Sequence, residues 1–353
     1  MNILFRVDSS VEIGTGHVMR CLTLAKMLKD AGCTVTFVMR VCPGDLCDYV
    51  ESQGFSVFRM FHGTHFSQEI DAQLTIEMIQ QCNDHIDWCI VDHYQIDRRW
   101  EEQVKKYVGK IMVVDDLANR PHDCHLLLDQ NYYKNMKQRY DGLVQKNCRL
   151  FLGPKYMILR SEFYEAKKSV KIRSGHVQRM LIFFGGSDPT NETEKVLQAL
   201  RDLCFAHIKV DVVVGNANPK RSQIQKMCLE MNINYHCQIN YIAELMAQAD
   251  LSCGAGGVTM WERCFLGLPS IVTIVAENQR QSVKDTAEYG AIWNLGWHWD
   301  VKVSDYADIL NRAILSPDEL AYMSEKALEL LGNKEKYMVH PVVQAILEGS
   351  HLE

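Results

Sequence analysis

Short apolar runs recur along the chain, with helical patterns between them. In the first half they are NILFRV (2–7), TVTFVMR (34–40), FSVFRM (55–60), WCIVDHY (88–94), KIMVVDD (110–116) and HLLLDQ (125–130). Each is β-rich and nearly continuous in apolar residues, the mark of a strand buried on both faces of a parallel sheet. Behind the first run, GHVMRCLTLAKMLKDAG (16–32) places Met19, Leu22, Leu24, Ala25 and Leu28 largely on one helical face. It stops at Gly32, a residue suited to the end of a helix. Around 155–178 the chain turns polar and basic and no strand reads through it. A second series follows: RMLIFFGG (179–186), IKVDVVVG (208–215), INYHC (233–237), ADLSCG (249–254), PSIVTIV (269–275) and AIWNLG (291–296), with two more helices at 303–314 and 317–332. This alternation predicts an α/β chain of two Rossmann-like domains, 1–165 and 166–353, with parallel sheets facing across a cleft.

Length agrees, since 353 residues exceed one ordinary core. A net charge of −6 argues against general nucleic-acid binding, which needs basic faces to meet phosphates. The 13 cysteines are scattered singly, without a C-x-x-C pair. They read as reduced thiols in a cytoplasmic protein, not as a disulfide framework or a metal site. The opening residues MNILFRVDSS put Arg6 and Asp8 inside any signal-peptide core, so a secretion signal is not expected. No segment approaches the ~18–20 uninterrupted apolar residues of a membrane span, so no membrane partner is expected. The final GSHLE has the look of a cloning remnant and carries no argument.

In open parallel sheets ligands bind beyond the carboxyl ends of the strands, so the residues after each run are the candidates. FFGGSDPTNET (183–193) offers Gly185, Gly186 and Ser187, with Asp188-Pro189 or Thr190 opening a helix whose free N–H groups would attract phosphate. LSCGAGGVTMWE (251–262) offers Gly256 and Gly257 before a helix from about Val258, a second anion cradle. It does not fit the dinucleotide G-x-G-x-x-G pattern, which disfavours NAD. Glu262, just over one turn into that helix, would accept hydrogen bonds from ribose hydroxyls if it lies on the exposed side; otherwise it is a solvated helix carboxylate. VAENQRQ (275–281) supplies Asn278 and Gln279, neutral groups suited to sugar or phosphate oxygens. In the first half, Gly14 and Gly16 flank Thr15 immediately before His17. A histidine in the first helical turn feels the positive end of the dipole, which favours a neutral base. IVDHYQID (90–97) offers Asp92, His93 and Tyr94, and 113–132 offers Asp115, Asp116 and Asn131. Asp8 is a candidate for orienting substrate or loop. No H-x-x-x-H or matched His/carboxylate pair suggests a required metal.

Three blocks together, FRVDSSVEIGTGHVMRCLTLA (5–25), FGGSDPTN (184–191) and GAGGVTMWE…GLPSIV…AENQ (254–279), resemble the UDP-2,4-diacetamido-2,4,6-trideoxy-β-L-altropyranose hydrolases of pseudaminic acid biosynthesis. The resemblance runs from the first strand to about residue 300. It implies a GT-B fold, a monomer, and a hydrolysis needing neither metal nor cofactor. Water attacks the anomeric carbon, UDP leaves, and the free diacetamido sugar is released. It places the general base on His17, a catalytic tyrosine on Tyr94 and a catalytic asparagine on Asn278. It places ribose binding on Glu262 and the diphosphate on the Gly185-Gly186-Ser187 and Gly256-Gly257 loops. It puts uracil against the backbone of INYIAEL (239–245). Val258 departs from the Ser or Thr of many relatives, which removes one hydroxyl from the phosphate site. The same fold also serves glycosyltransferases using a UDP-amino sugar and hydrolysing UDP-GlcNAc 2-epimerases. A nucleotide-sugar-binding regulatory module, in which His17 is dispensable, is the non-enzymatic alternative.

Overall fold

A computed structural model describes residues 1–61, 66–82, 84–170, 172–203, 208–332 and 339–349. The chain divides into two compact units. The first begins β1 (Asn2–Val7), α1 (Gly16–Asp30), β2 (Thr34–Arg40), α2 (Cys47–Ser52), β3 (Ser56–Met60) and α3 (Gln68–Gln81). It continues β4 (Ile86–Asp92), α4 (Arg98–Val104), β5 (Val108–Val114), β6 (Leu126–Asp129) and β7 (Arg149–Leu152). These strands form one sheet in the order β3-β2-β1-β4-β5-β6-β7, with every pairing parallel.

Both faces of the sheet are covered, as its apolar strands require. Ile3, Phe5 and Val7 of β1 pack with Val18, Leu22, Ala25 and Leu28 of α1. Leu4, one residue out of phase, joins the opposite core with Ala72 and Ile76 of α3 and Trp100 of α4. α1 departs from its apolar pattern in a useful way: Met19 is half-buried, whereas His17 and Arg20 are buried.

The second unit holds α5 (Ser161–Lys167), β8 (Arg179–Phe183), α6 (Glu192–Asp202), β9 (Lys209–Val214), α7 (Arg221–Glu230), β10 (Asn234–Cys237) and α8 (Ile242–Gln248). It continues β11 (Leu251–Ala255), α9 (Val258–Phe265), β12 (Ser270–Ile274), α10 (Arg280–Tyr289), β13 (Trp293–Trp297), α11 (Val303–Leu315) and α12 (Pro317–Leu331). Its sheet, also parallel throughout, runs β10-β9-β8-β11-β12-β13.

The division differs from the expected 1–165 and 166–353. The chain changes unit after Ile158, and Tyr132–Lys134 belongs with the second unit. A last helix, α13 (Pro341–Glu348), returns to the first unit. The reason is its apolar face: Val342, Val343, Ala345 and Ile346 are buried in the core that holds α1 and β1. His340 caps it, Nδ1 accepting from the Val342 amide at 3.3 Å. Among the described residues no helix is long and apolar enough to cross a membrane.

Candidate functional site

Each sheet reverses its strand order once, between β1 and β4 and between β8 and β11. Ligands of open parallel sheets bind at such points, beyond the carboxyl ends of the strands. The loops singled out from sequence fall there: residues 8–15 and 93–97 in the first unit, 184–191 and Gly256-Gly257 in the second.

In the first unit, β1 and β4 end in register, Val7 opposite Asp92. His17 is the second residue of α1, and its Nδ1 lies 2.6 Å from Asp92 Oδ1. Arg20, one turn on, grips the same carboxylate through Nε to Oδ2 at 2.5 Å and Nη2 to Oδ1 at 2.7 Å. Burial alone would raise the Asp92 pKa. The Arg20 charge, then His17, outweighs burial and holds the carboxyl well below its usual range. An ionised Asp92 only accepts, so Nδ1 carries the proton it donates, and in the neutral ring the lone pair sits on Nε2. Among the described residues nothing hydrogen-bonds Nε2.

Behind this pair, Arg20 Nη1 donates to both oxygens of Asp116, at 3.0 and 2.9 Å. Asp116 also accepts from the Tyr94 hydroxyl and from Asn131 Nδ2, each at 2.9 Å. The Tyr94 ring meets His17 edge-on, centroids 4.4 Å apart. Tyr94 thus walls the imidazole while its hydroxyl is engaged with Asp116. Three members of this constellation, Asp92, Arg20 and Asp116, were not assigned roles from sequence.

Asp8 is buried. Its carboxylate accepts from Arg6 (2.5 and 2.9 Å) and from the Arg40 amide (2.8 Å) at the end of β2, with Arg40 Nε (3.3 Å) and His93 Nε2 (3.2 Å) within ion-pair distance. Gly14 has φ +79° and its amide donates to the Ser10 carbonyl at 2.9 Å, which closes the turn. A Cβ on Gly14 or Gly16 would meet nothing within 4 Å, so space is open beside both.

The two anion cradles of the second unit come apart. α6 starts at Glu192, later than expected, and the Asp188 carboxylate accepts from the Glu192 and Thr193 amides at 3.0 and 2.9 Å. A carboxylate already fills that helix terminus, so its N–H groups are not free for phosphate. Gly185, Gly186 and Ser187 remain, half-buried to exposed, on the preceding turn. α9 differs: Gly257 precedes it with no side-chain cap, and its first turn holds no acidic residue.

Burial raises Asp188 to about 6, against the opposing bonds from Thr193 and Glu192. The folded value lies above the unfolded one, so this group's contribution is full below about pH 4 and lost as pH rises through 6. Asp188→Asn removes that titration. The variant-minus-parent difference in melting temperature is expected to grow from pH 4 to pH 7, by the equivalent of about 3 kcal/mol. A difference that stays flat across this range would contradict the assignment.

Gly256 is buried, and any Cβ there would overlap Val283 of α10. Its small size therefore serves packing as well as the turn. Gln279 Oε1 accepts from the Val275 amide at 3.1 Å, which holds the loop after β12. Asn278 is exposed beside it. Glu262 is not on an exposed face: it is 4% exposed, and Oε1 pairs with Arg160 at 3.0–3.2 Å. Burial raises its pKa, with Arg160 opposing, and Oε2 has no hydrogen-bond partner among the described residues. The 239–245 segment borders a cavity of about 390 Å³ that Glu162, Glu165 and Glu244 also line. Three carboxylates there do not suit an anionic ligand.

Residues 180–297 match the glycosyltransferase family 28 C-terminal domain. MurG of Acinetobacter baumannii superposes with a TM-score of 0.68 over 98% of this chain and 99% of that one, at 13% identity. The fold is GT-B. An uncharacterized protein of Methanocaldococcus jannaschii is 30% identical over 81% of this chain, and the match spans 58% of that protein's length. The UDP-2,4-diacetamido-2,4,6-trideoxy-beta-L-altropyranose hydrolase of Campylobacter jejuni is 30% identical over 71% of this chain and 83% of its own. The chain belongs to that protein's family. Membership and fold together place it among the nucleotide-sugar-processing enzymes of the GT-B superfamily.

Proposed function

We propose that this enzyme hydrolyses a UDP-linked 2,4-diacetamido-2,4,6-trideoxyhexose, the altropyranose of its Campylobacter relative, to UDP and free sugar. The observation that carries the reading is a histidine whose Nδ1 is committed to an ionised carboxylate and whose Nε2 meets no hydrogen-bond partner among the described residues. That is the arrangement a general base needs. His17 Nε2 takes a proton from water as its oxygen bonds to the anomeric carbon. The bond from that carbon to the phosphate oxygen breaks, and UDP departs with the electron pair. The uncapped N-terminus of α9, with Gly256 and Gly257, stabilises the negative charge of the leaving diphosphate. Ser187, Gly185 and Gly186 supply a second neutral contact to it. Asn278 and Gln279 meet sugar or phosphate oxygens, and the unpartnered Oε2 of Glu262 receives ribose hydroxyls.

The family 28 match supports a second reading, transfer of the sugar to an acceptor hydroxyl. One experiment separates them. Protein is incubated with the UDP-diacetamido sugar, or with UDP-GlcNAc, in EDTA without acceptor, and UDP and sugar are followed. UDP release from the diacetamido substrate is expected. Absence of release from both substrates removes the hydrolase reading, and a C2-inverted sugar from UDP-GlcNAc indicates an epimerase. His17→Asn is expected to slow release by about 10²–10⁴-fold with UDP affinity retained. Turnover near the parent's would remove His17 from catalysis.

A further inference from the structure

Arg263 lies on α9, and no solvent reaches it. Its Nη2 donates to the Ala255 carbonyl at 2.6 Å. Nε and Nη1 are buried without a hydrogen-bond partner among the described residues. Its sequence neighbour Glu262 is engaged by Arg160 instead. A charge placed so is costly, because burial is not offset by a paired carboxylate. Burial accordingly pulls Arg263 down to about 10. Even Gly254 is committed to it, since any side chain there would overlap the guanidinium.

The position of the one bond it makes is informative. The Ala255 carbonyl and the Gly256 N–H belong to one planar trans peptide and point in opposite directions. Arg263 takes the Ala255 carbonyl on one side, and the register Ala255↔Thr273 turns the Gly256 N–H the other way, to the Thr273 carbonyl of β12. The Gly257 amide donates to no loop or cap partner among the described residues. The Gly257 amide, the positive end of α9 and an uncompensated guanidinium therefore add up at one turn.

We propose that Arg263 is the buried counter-charge of a diphosphate held at Gly256-Gly257. It is a positioning residue: it fixes the end of β11 from which α9 starts and adds its field, and it does not touch the ligand. This rests on the UDP-binding reading above. The arginine tolerates its dry position because the ligand brings the missing anion.

The test compares UDP with uridine, which lacks the phosphates. Binding of each is titrated to the full chain, to Arg263→Met and to Arg263→Lys, with folding checked by circular dichroism. Arg263→Met is expected to weaken UDP by about tenfold or more and to leave uridine within about twofold. Arg263→Lys, which keeps the charge, recovers part of the UDP affinity. Equal losses for UDP and uridine would mean a purely structural residue and overturn the proposal, as would unchanged UDP binding. Should Arg263→Met not fold, Arg263→Lys alone decides: loss confined to UDP supports the proposal and equal losses overturn it. If the parent chain binds no UDP, the nucleotide reading itself falls.

Discussion

Asp92→Asn is expected to lower turnover by about 10³–10⁴-fold while UDP affinity stays within about twofold. The carboxylate now accepts from His17 Nδ1 and from two nitrogens of Arg20. An amide cannot accept on both sides. If its NH₂ faces His17, the ring must accept at Nδ1, the proton moves to Nε2, and the base is gone. If the NH₂ faces Arg20, two donors meet and the arginine loses its charge partner. In both cases Asp116 still holds Arg20 and Tyr94, so the surrounding wall persists. Steady-state kinetics on the diacetamido substrate, with calorimetric UDP binding, checks this. Turnover within about fivefold of the parent would show that the dyad is not the source of the base.

The largest effect on stability is expected from Arg6→Met. Arg6 is fully buried in β1, bonded twice to Asp8, once to Asp71 Oδ1 at 2.9 Å, and paired with the other Asp71 oxygen. Trp100 Nε1 donates to the same Asp71 at 2.8 Å. Removing the cation leaves two carboxylates facing each other in the interior, a loss of about 3–5 kcal/mol. Arg99→Met is the control, because Arg99 is exposed and solvent screens its pair with Asp97. Thermal or urea denaturation of the three proteins checks the ranking, and equal midpoints for Arg6→Met and the parent would refute it. Burial raises Asp8, but Arg6 more than offsets this and its folded pKa lies below the unfolded one. The contribution is therefore present at neutral pH and lost only in strong acid.

The sheets were legible because strands buried on both faces leave unbroken apolar runs, and twelve such runs could be read. β7 escaped, since RLFL is short and follows a polar stretch. His17 was legible from its flanking glycines and the strand before it. Asp92 and Arg20 were not, because their meaning lies in a pairing across 72 residues. Alone, one is a polar residue at a strand end and the other an interruption on a helix face. The burial of Glu262 was not legible, because it comes from α9 being sunk in the second unit, with Met260 through Phe265 all buried. At 187–190, S-D-P-T reads as a helix start, and only the fold brings the Asp188 carboxylate onto the Glu192 and Thr193 amides.

The return of α13 to the first unit has a consequence for how the chain is made. On the ribosome this helix emerges after every strand of the second unit. Until then Val342, Val343, Ala345 and Ile346 are missing from the core beneath α1. The second unit, contiguous apart from three residues, has its parts to hand first. The unit that is translated first is therefore finished last, and its α1 face is the surface that nascent-chain chaperones have most reason to cover.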